Sequence, residues 1–258
     1  MKPYAAPARL MQRLFRRACA TLAVGVIALP AAHAEEISVL STGAVKGPVT
    51  ALAAEYQKKT GNTVKLEFGT AGQVEKKVAA GAKPDLLIST AARIAAQPGV
   101  AMDRVRPLGS VRIGVAKSSD ARKPDLESVD GFRSTLLEAR SVAYSNPASG
   151  ATTGVHFAHV IDGLGLTHDL ADKRILANDG FDVVQRVASG EAELGIAPVS
   201  EILMVAPATY AGLLPEPLQL STTYSVWLVD TRPQAAKDFF GALTSDAAHA
   251  RFKSAGFE

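Results

Sequence analysis

Five places along this 258-residue chain put hydroxyls and small residues directly after a short apolar run and directly before a helix pattern. They are Ser41-Thr42-Gly43, Gly69-Thr70-Ala71-Gly72, Ser89-Thr90, the stretch from Ser145 to Gly154 that holds Ser149, Thr152 and Thr153, and Pro198-Val199-Ser200-Glu201. The first backbone N–H groups of a helix lack intrahelical partners, and the helix dipole is positive there, so an anion satisfies both. Ser and Thr also begin helices as plain N-caps. One such junction therefore says little, whereas five facing one cleft describe an anion site. Two titratable side chains adjoin these junctions, His156 and Glu201. Either can carry a proton near neutral pH once its surroundings shift it, which adds general acid–base chemistry on a bound anion. Lys46, Arg93 and Arg112 are candidate counter-charges.

The elements that must position these residues alternate. Strand patterns at Ile37–Leu40, Val64–Phe68 and Asp85–Ser89 are separated by helix patterns at Pro48–Lys59 and Gln73–Ala80. A longer strand is predicted at Ser110–Ala116 and a helix at Leu126–Ala139. The alternation then resumes with strands at Ser141–Ser145, Arg174–Leu176 and Glu193–Ala197 and helices at Thr153–Leu164 and Phe181–Ala188. A last strand at Thr222–Val229 and two closing helices follow. Such β-α-β runs predict a parallel α/β sheet covered by helices. Two blocks joined by long strands predict two lobes, lobe I at 35–110 completed by 223–258, and lobe II at 111–222. Ligands of such folds sit where strand C-termini meet helix N-termini, here in the cleft between the lobes.

Composition narrows the partners. With 47% hydrophobic and 21% charged residues the chain is neither disordered nor a fibre. Residues 1–34 read as a secretory signal peptide. Lys2, Arg9, Arg13, Arg16 and Arg17 precede the apolar run Ala18–Ala32, and Ala32-His33-Ala34 forms a small-x-small cleavage site. That run is shorter than the roughly 20 residues a membrane-spanning helix needs. Residues 35–258 carry 23 basic and 25 acidic residues, a net charge of −2. The formal +3 of the whole chain is thus no sign of nucleic-acid binding, and no Lys/Arg cluster with interleaved aromatics appears. Cys19, the single cysteine, falls in the signal segment, so the exported form is expected in the periplasm without a disulfide. Phosphate-loop, H-E-x-x-H and G-x-S-x-G motifs are absent, and His156 and His159 lack a third ligand. Neither a cofactor nor a metal is expected.

The segments Ile37–Gly43, Phe68–Gly72 with Lys83–Ser89, and Gly190–Gly195 with Ser200-Glu201 resemble the periplasmic molybdate-binding-protein-like branch of the type II solute-binding proteins. The resemblance extends over essentially the whole chain after residue 34. It implies a two-lobed type II periplasmic-binding-protein fold that closes on a small anion. Ser41, Thr42, Gly43, Thr70, Ala71, Gly72, Ser149, Thr152, Thr153 and Ser200 are the implied ligand-binding residues. The chain departs from the molybdate pattern at Ser41-Thr42-Gly43, where that branch carries an Ala-Ala-Ser-Leu-like loop. It departs again at Ala71, where a hydroxyl is usual. Glu201 departs too, since a carboxylate beside a bound dianion costs binding energy. The branch also contains aconitate isomerase, which interconverts trans- and cis-aconitate by a cofactor-free 1,3-proton shift; on that resemblance His156 and Glu201 are the implied proton carriers. The expectation is such an isomerase, acting as a monomer. The alternative is a non-catalytic subunit of an ABC importer for molybdate, tungstate or a small carboxylate, with a permease as partner.

Overall fold

The computed structural model describes Met1 and residues 34–258. Apart from Met1 and Ala34, the predicted signal peptide lies outside the described residues, and Cys19 with it. The first strand–helix block is β1 (Glu36–Thr42), α1 (Lys46–Thr60), β2 (Thr63–Gly69), α2 (Ala71–Ala79), β3 (Leu86–Thr90) and the short α3 (Ala91–Ala95). Next come β4 (Val105–Lys117) and α4 (Val129–Glu138). The second block is β5 (Val142–Ser145), α5 (Thr152–Gly163), β6 (Arg174–Ala177), α6 (Gly180–Ala188), β7 (Leu194–Pro198) and α7 (Val199–Val205). β8 (Tyr210–Leu213), β9 (Ser221–Leu228), α8 (Gln234–Leu243) and α9 (Asp246–Ser254) complete the chain.

The strands make one mixed sheet in the order β2-β1-β3-β9-β4-β7-β5-β6, with β8 also paired to β4. β1 pairs in parallel with β2 and β3, and β5 pairs in parallel with β6 and β7. β4 joins the two halves. Its residues Val105–Arg112 pair antiparallel with β9, and Ile113–Lys117 pair antiparallel with β7. β4 is longer than its sequence pattern suggests, because Pro107 and Gly109 interrupt the alternation; the register shifts there and pairing resumes beyond it.

β3 and β7 are buried along their whole length because both faces of each are covered. One face of the first half packs Ile37, Val39, Leu86, Ile88 and Val226 against α1, α8 and α9. The other packs Leu40, Leu87 and Trp227 beneath α2 and α3. In the second half Phe132, Phe157, Leu194 and Ile196 fill one face, and Val183, Val184 and Val187 of α6 fill the other. Each large side chain withdrawn from water contributes about 1.5–3 kcal/mol to holding its helix on the sheet. The helix starts are thereby fixed in space. α4 begins at Val129 rather than Leu126, because Ser128 caps it by accepting from the Gly131 N–H. α3, α7 and β8 are too short for periodicity to reveal.

Candidate functional site

A cavity of about 180 Å³ opens between the two sheet halves, at the carboxyl ends of β1, β2, β5 and β7. Five helix starts line it. Thr42, Gly43, Ala44 and Lys46 lead into α1, and Thr70, Ala71 and Gln73 begin α2. From the other half come Ala151, Thr152 and Thr153 of α5, Asp179, Gly180 and Phe181 of α6, and Pro198 and Glu201 of α7. Phe68, Gly69, Ser145 and Tyr224 complete the lining. The start of α5 has no side-chain cap, so its first N–H groups face the cavity unsatisfied by a neighbouring side chain. The Thr42 hydroxyl is buried without a hydrogen-bond partner. A buried donor left unmade costs roughly 1–3 kcal/mol, which an accepting ligand would recover.

Thr70 does not wait for a ligand in the same way. Its hydroxyl donates to the Ser149 carbonyl at 2.6 Å and accepts from the Gln73 N–H at 3.2 Å. The Gln73 side-chain oxygen accepts from the Thr70 N–H at 2.8 Å, closing a capping box and leaving the Gln73 amide NH₂ as the available donor. The Thr70–Ser149 bond spans the two sheet halves. Beside it the Gly72 N–H donates to the Gly150 carbonyl at 3.1 Å. A Cβ on Gly72 would stand 2.7 Å from both Gly150 Cα and the Ser149 oxygen, so only glycine lets these loops touch. The cleft is closed along this edge.

Glu201 dominates the electrostatics. It is 5% exposed, and no hydrogen bond to its carboxyl is present among the described residues. Its carboxyl lies against Gly43 of one half and Gly180 of the other; a Cβ on Gly180 would overlap Oε2, and one on Gly43 would come within 2.9 Å of Oε1. Burial pushes its pKa up to about 8, helped by the nearby Asp179 carboxylate and opposed by the Lys46 ammonium. Asp179 itself caps α6 by accepting from the Asp182 N–H at 2.9 Å. The Tyr224 phenol is pushed up by burial and by Glu201, so it stays a neutral donor.

The predicted site residues therefore divide. Thr42, Gly43, Thr70, Ala71, Thr152, Thr153 and Glu201 line the cavity. Ser41 is fully buried with its hydroxyl on the Thr42 carbonyl, and Ser200 donates to the Ala44 carbonyl at 2.8 Å. Gly72 and Ser149 form the closed edge rather than the lining. His156 lies one helical turn beyond Thr152, outside the lining, and its Nε2 bonds the Leu218 carbonyl at 2.8 Å. A carbonyl only accepts, so Nε2 carries the hydrogen. His159 is exposed. Among the candidate cations Lys46 lines the cavity, whereas Arg93 pairs with Glu75 and Arg112 with Glu216. Ser89-Thr90 begins α3 away from the cavity.

The start of α6 is a cavity wall outside the five hydroxyl-rich junctions, although the helix itself is predicted at Phe181–Ala188. Asn178-Asp179-Gly180 after Ala177 is an Asx cap before a helix, a legible signal, but an acid there speaks against an anion site. Phe68 and Tyr224 carry no local signal, since only the strand pairing brings them to the cavity. Among the described residues no group of three or more His, Cys, Asp or Glu converges as a metal site.

Comparison with known proteins follows the same geometry. A family described as bacterial extracellular solute-binding protein matches residues 37–258. Aconitate isomerase from Pseudomonas sp is 32% identical over 251 residues, covering 89% of this chain and 93% of that protein. The molybdate-binding protein ModA of Escherichia coli (strain K12) is 26% identical over 257 residues, covering 97% and 98%. The periplasmic molybdate-binding protein of Azotobacter vinelandii superposes with a TM-score of 0.68 at 23% identity, over 86% of this chain and 98% of that chain, which shows a common fold.

Proposed function

The chain belongs to the bacterial extracellular solute-binding protein family, and from that premise we propose that it is an aconitate isomerase acting in the periplasm after removal of residues 1–34. The observation that carries this reading is Glu201, a buried, unbonded carboxyl on the wall of a cavity otherwise built to attract anions. A proton-transfer enzyme needs such a group, whereas an anion binder is already served by the neutral donors of the helix starts. The 32% identity to aconitate isomerase supports the same reading.

Glu201 takes a proton from the methylene carbon of bound aconitate and returns it to the other end of the allyl system. One C–H bond breaks, another forms and the double bond migrates, so neither an oxidant nor a cofactor is needed. A pKa of about 8 keeps both forms of the carboxyl populated near neutral pH, the condition under which one group serves as base and then acid. In its neutral form Glu201 does not repel the arriving anion. Substrate carboxylates take the uncapped N–H groups at the start of α5. The Thr42 hydroxyl, the Gln73 amide and the Tyr224 phenol supply donors for the charge that develops on a carboxylate as the proton leaves.

The second reading, a non-catalytic importer subunit for molybdate or a small carboxylate, is favoured by the five helix starts themselves and by the 26% identity to ModA. Proton NMR of cis-aconitate in D₂O with the purified protein separates the two. The isomerase produces the trans isomer, with deuterium at the allylic carbons in proportion to how far the Glu201 proton exchanges with solvent before its return. An unchanged spectrum together with a molybdate-induced rise in melting temperature establishes the binding subunit instead.

A further inference from the structure

Lys46 sits where helix physics disfavours it. It is the first residue of α1, whose first turn carries no acid, and a cation at the positive end of a helix dipole is destabilising. Among the described residues no carboxylate lies within ion-pairing distance of it. What holds it is a pair of rings. The ammonium lies 5.7 Å from the Phe68 ring centre and 4.7 Å from that of Phe181. Phe68 ends β2 and Phe181 begins α6, so the rings belong to different halves of the sheet and meet the ammonium across the cavity. Lys46 is also the one Lys or Arg among the lining residues described.

The lining thus has two groups of contacts. Thr70, Ala71, Thr152 and Thr153 surround the closed edge where Thr70 meets Ser149. Lys46, Phe181 and Glu201 cluster around Gly43. The second group holds the one cation of the described lining, so a ligand with several carboxylates has a charge to place there that a single compact oxyanion held by the first group does not. We propose that Lys46, clamped between Phe68 and Phe181, is the specificity-determining residue that makes this cavity select ligands bearing several carboxylates over compact tetrahedral oxyanions. The ligand class rests on the reading of the preceding subsection; the role of Lys46 rests on its own geometry.

Isothermal titration of the purified protein with two probes tests this. One probe is propane-1,2,3-tricarboxylate, a saturated compound that has no double bond to move, and the other is molybdate. Lys46→Met is expected to weaken the tricarboxylate about tenfold or more while changing molybdate affinity less than about threefold. Lys46→Arg keeps the charge and the stacking and retains most tricarboxylate affinity. If Lys46→Met fails to fold, Phe181→Leu carries the test through the same selective loss. Equal losses for both probes, no loss for either, or a wild type that ignores the tricarboxylate overturns the proposal. Lys46-dependent tricarboxylate binding without turnover of cis-aconitate removes the isomerase and leaves Lys46 as assigned. Turnover without Lys46 dependence does the reverse.

Discussion

The two halves of the sheet repeat one strand order, β2-β1-β3 and β6-β5-β7, yet they equip the cavity with opposite charge. The first half contributes Lys46 and neutral donors, and the second contributes Asp179 and Glu201. Their third helices differ most. α3 follows β3 and stays off the cavity, its Thr90 spent on capping. α7 follows β7, carries Glu201 into the cavity, and ties itself to the first half through Ser200 and the Ala44 carbonyl. A repeated scaffold thus supplies generic anion-binding helix starts, while a single helix that reaches across brings the group able to move a proton.

Removing the acid from one wall should break this contrast most severely. Glu201→Gln keeps the shape and is expected to lower aconitate turnover by about 10²–10⁴-fold while affinity changes only a few-fold, measured as kcat and Kd separately. Equal losses in both would assign Glu201 to binding. Gly180→Ala attacks the same carboxyl from its support, since the new Cβ would overlap Oε2. Turnover should fall about tenfold or more, with Thr153 and the other helix starts still able to hold the anion; an unaffected rate would show that the carboxyl position is unimportant.

The pH dependence of stability sharpens the contrast further. The Glu201 pKa is about 8 in the folded chain against an ordinary 4.5, so the folded state binds the extra proton between these values. Stability from this group is full below the unfolded pKa and is lost as pH rises toward 8. Thermal melts without ligand should therefore show Glu201→Gln gaining a few degrees over wild type at pH 8.5 and little at pH 5. His156→Ala is the smallest expected effect. It loses one hydrogen bond to Leu218, costs about 1 kcal/mol in denaturant melts and leaves turnover near wild type; a large loss of turnover would return His156 to the chemistry.

Much of this arrangement was legible in the chain. Four of the five hydroxyl-rich junctions line the cavity because a strand end followed by a small residue and a hydroxyl is a local instruction, and local instructions survive folding. Ser89-Thr90 carries the same instruction and spends it on α3, a choice made by the sheet rather than by the segment. His156 shares a helix face with Thr152, but it stands a turn further along, and sequence spacing does not reveal how far a helix leads away from a site. Lys46, three residues beyond the first junction, is legible as a counter-charge, whereas Tyr224 becomes a site residue only through pairings between distant strands. Asp179 stands at a junction without the hydroxyls that mark the others, although Glu201 feels its charge.

The pairing of β9 with β3 and β4 has a consequence for the order of assembly. Leu86 finds its partner Leu228, and Val105 finds Trp227, only when nearly the whole chain is available. The second block closes on itself through β5, β6 and β7, with far shorter loops to order. The wall that bears the acids thus draws on nearer segments, whereas the wall that bears Lys46 is complete only once β9 lies between β3 and β4. A truncation before residue 221 would remove the strand that joins β3 to β4, and with it the support of the wall that bears Lys46.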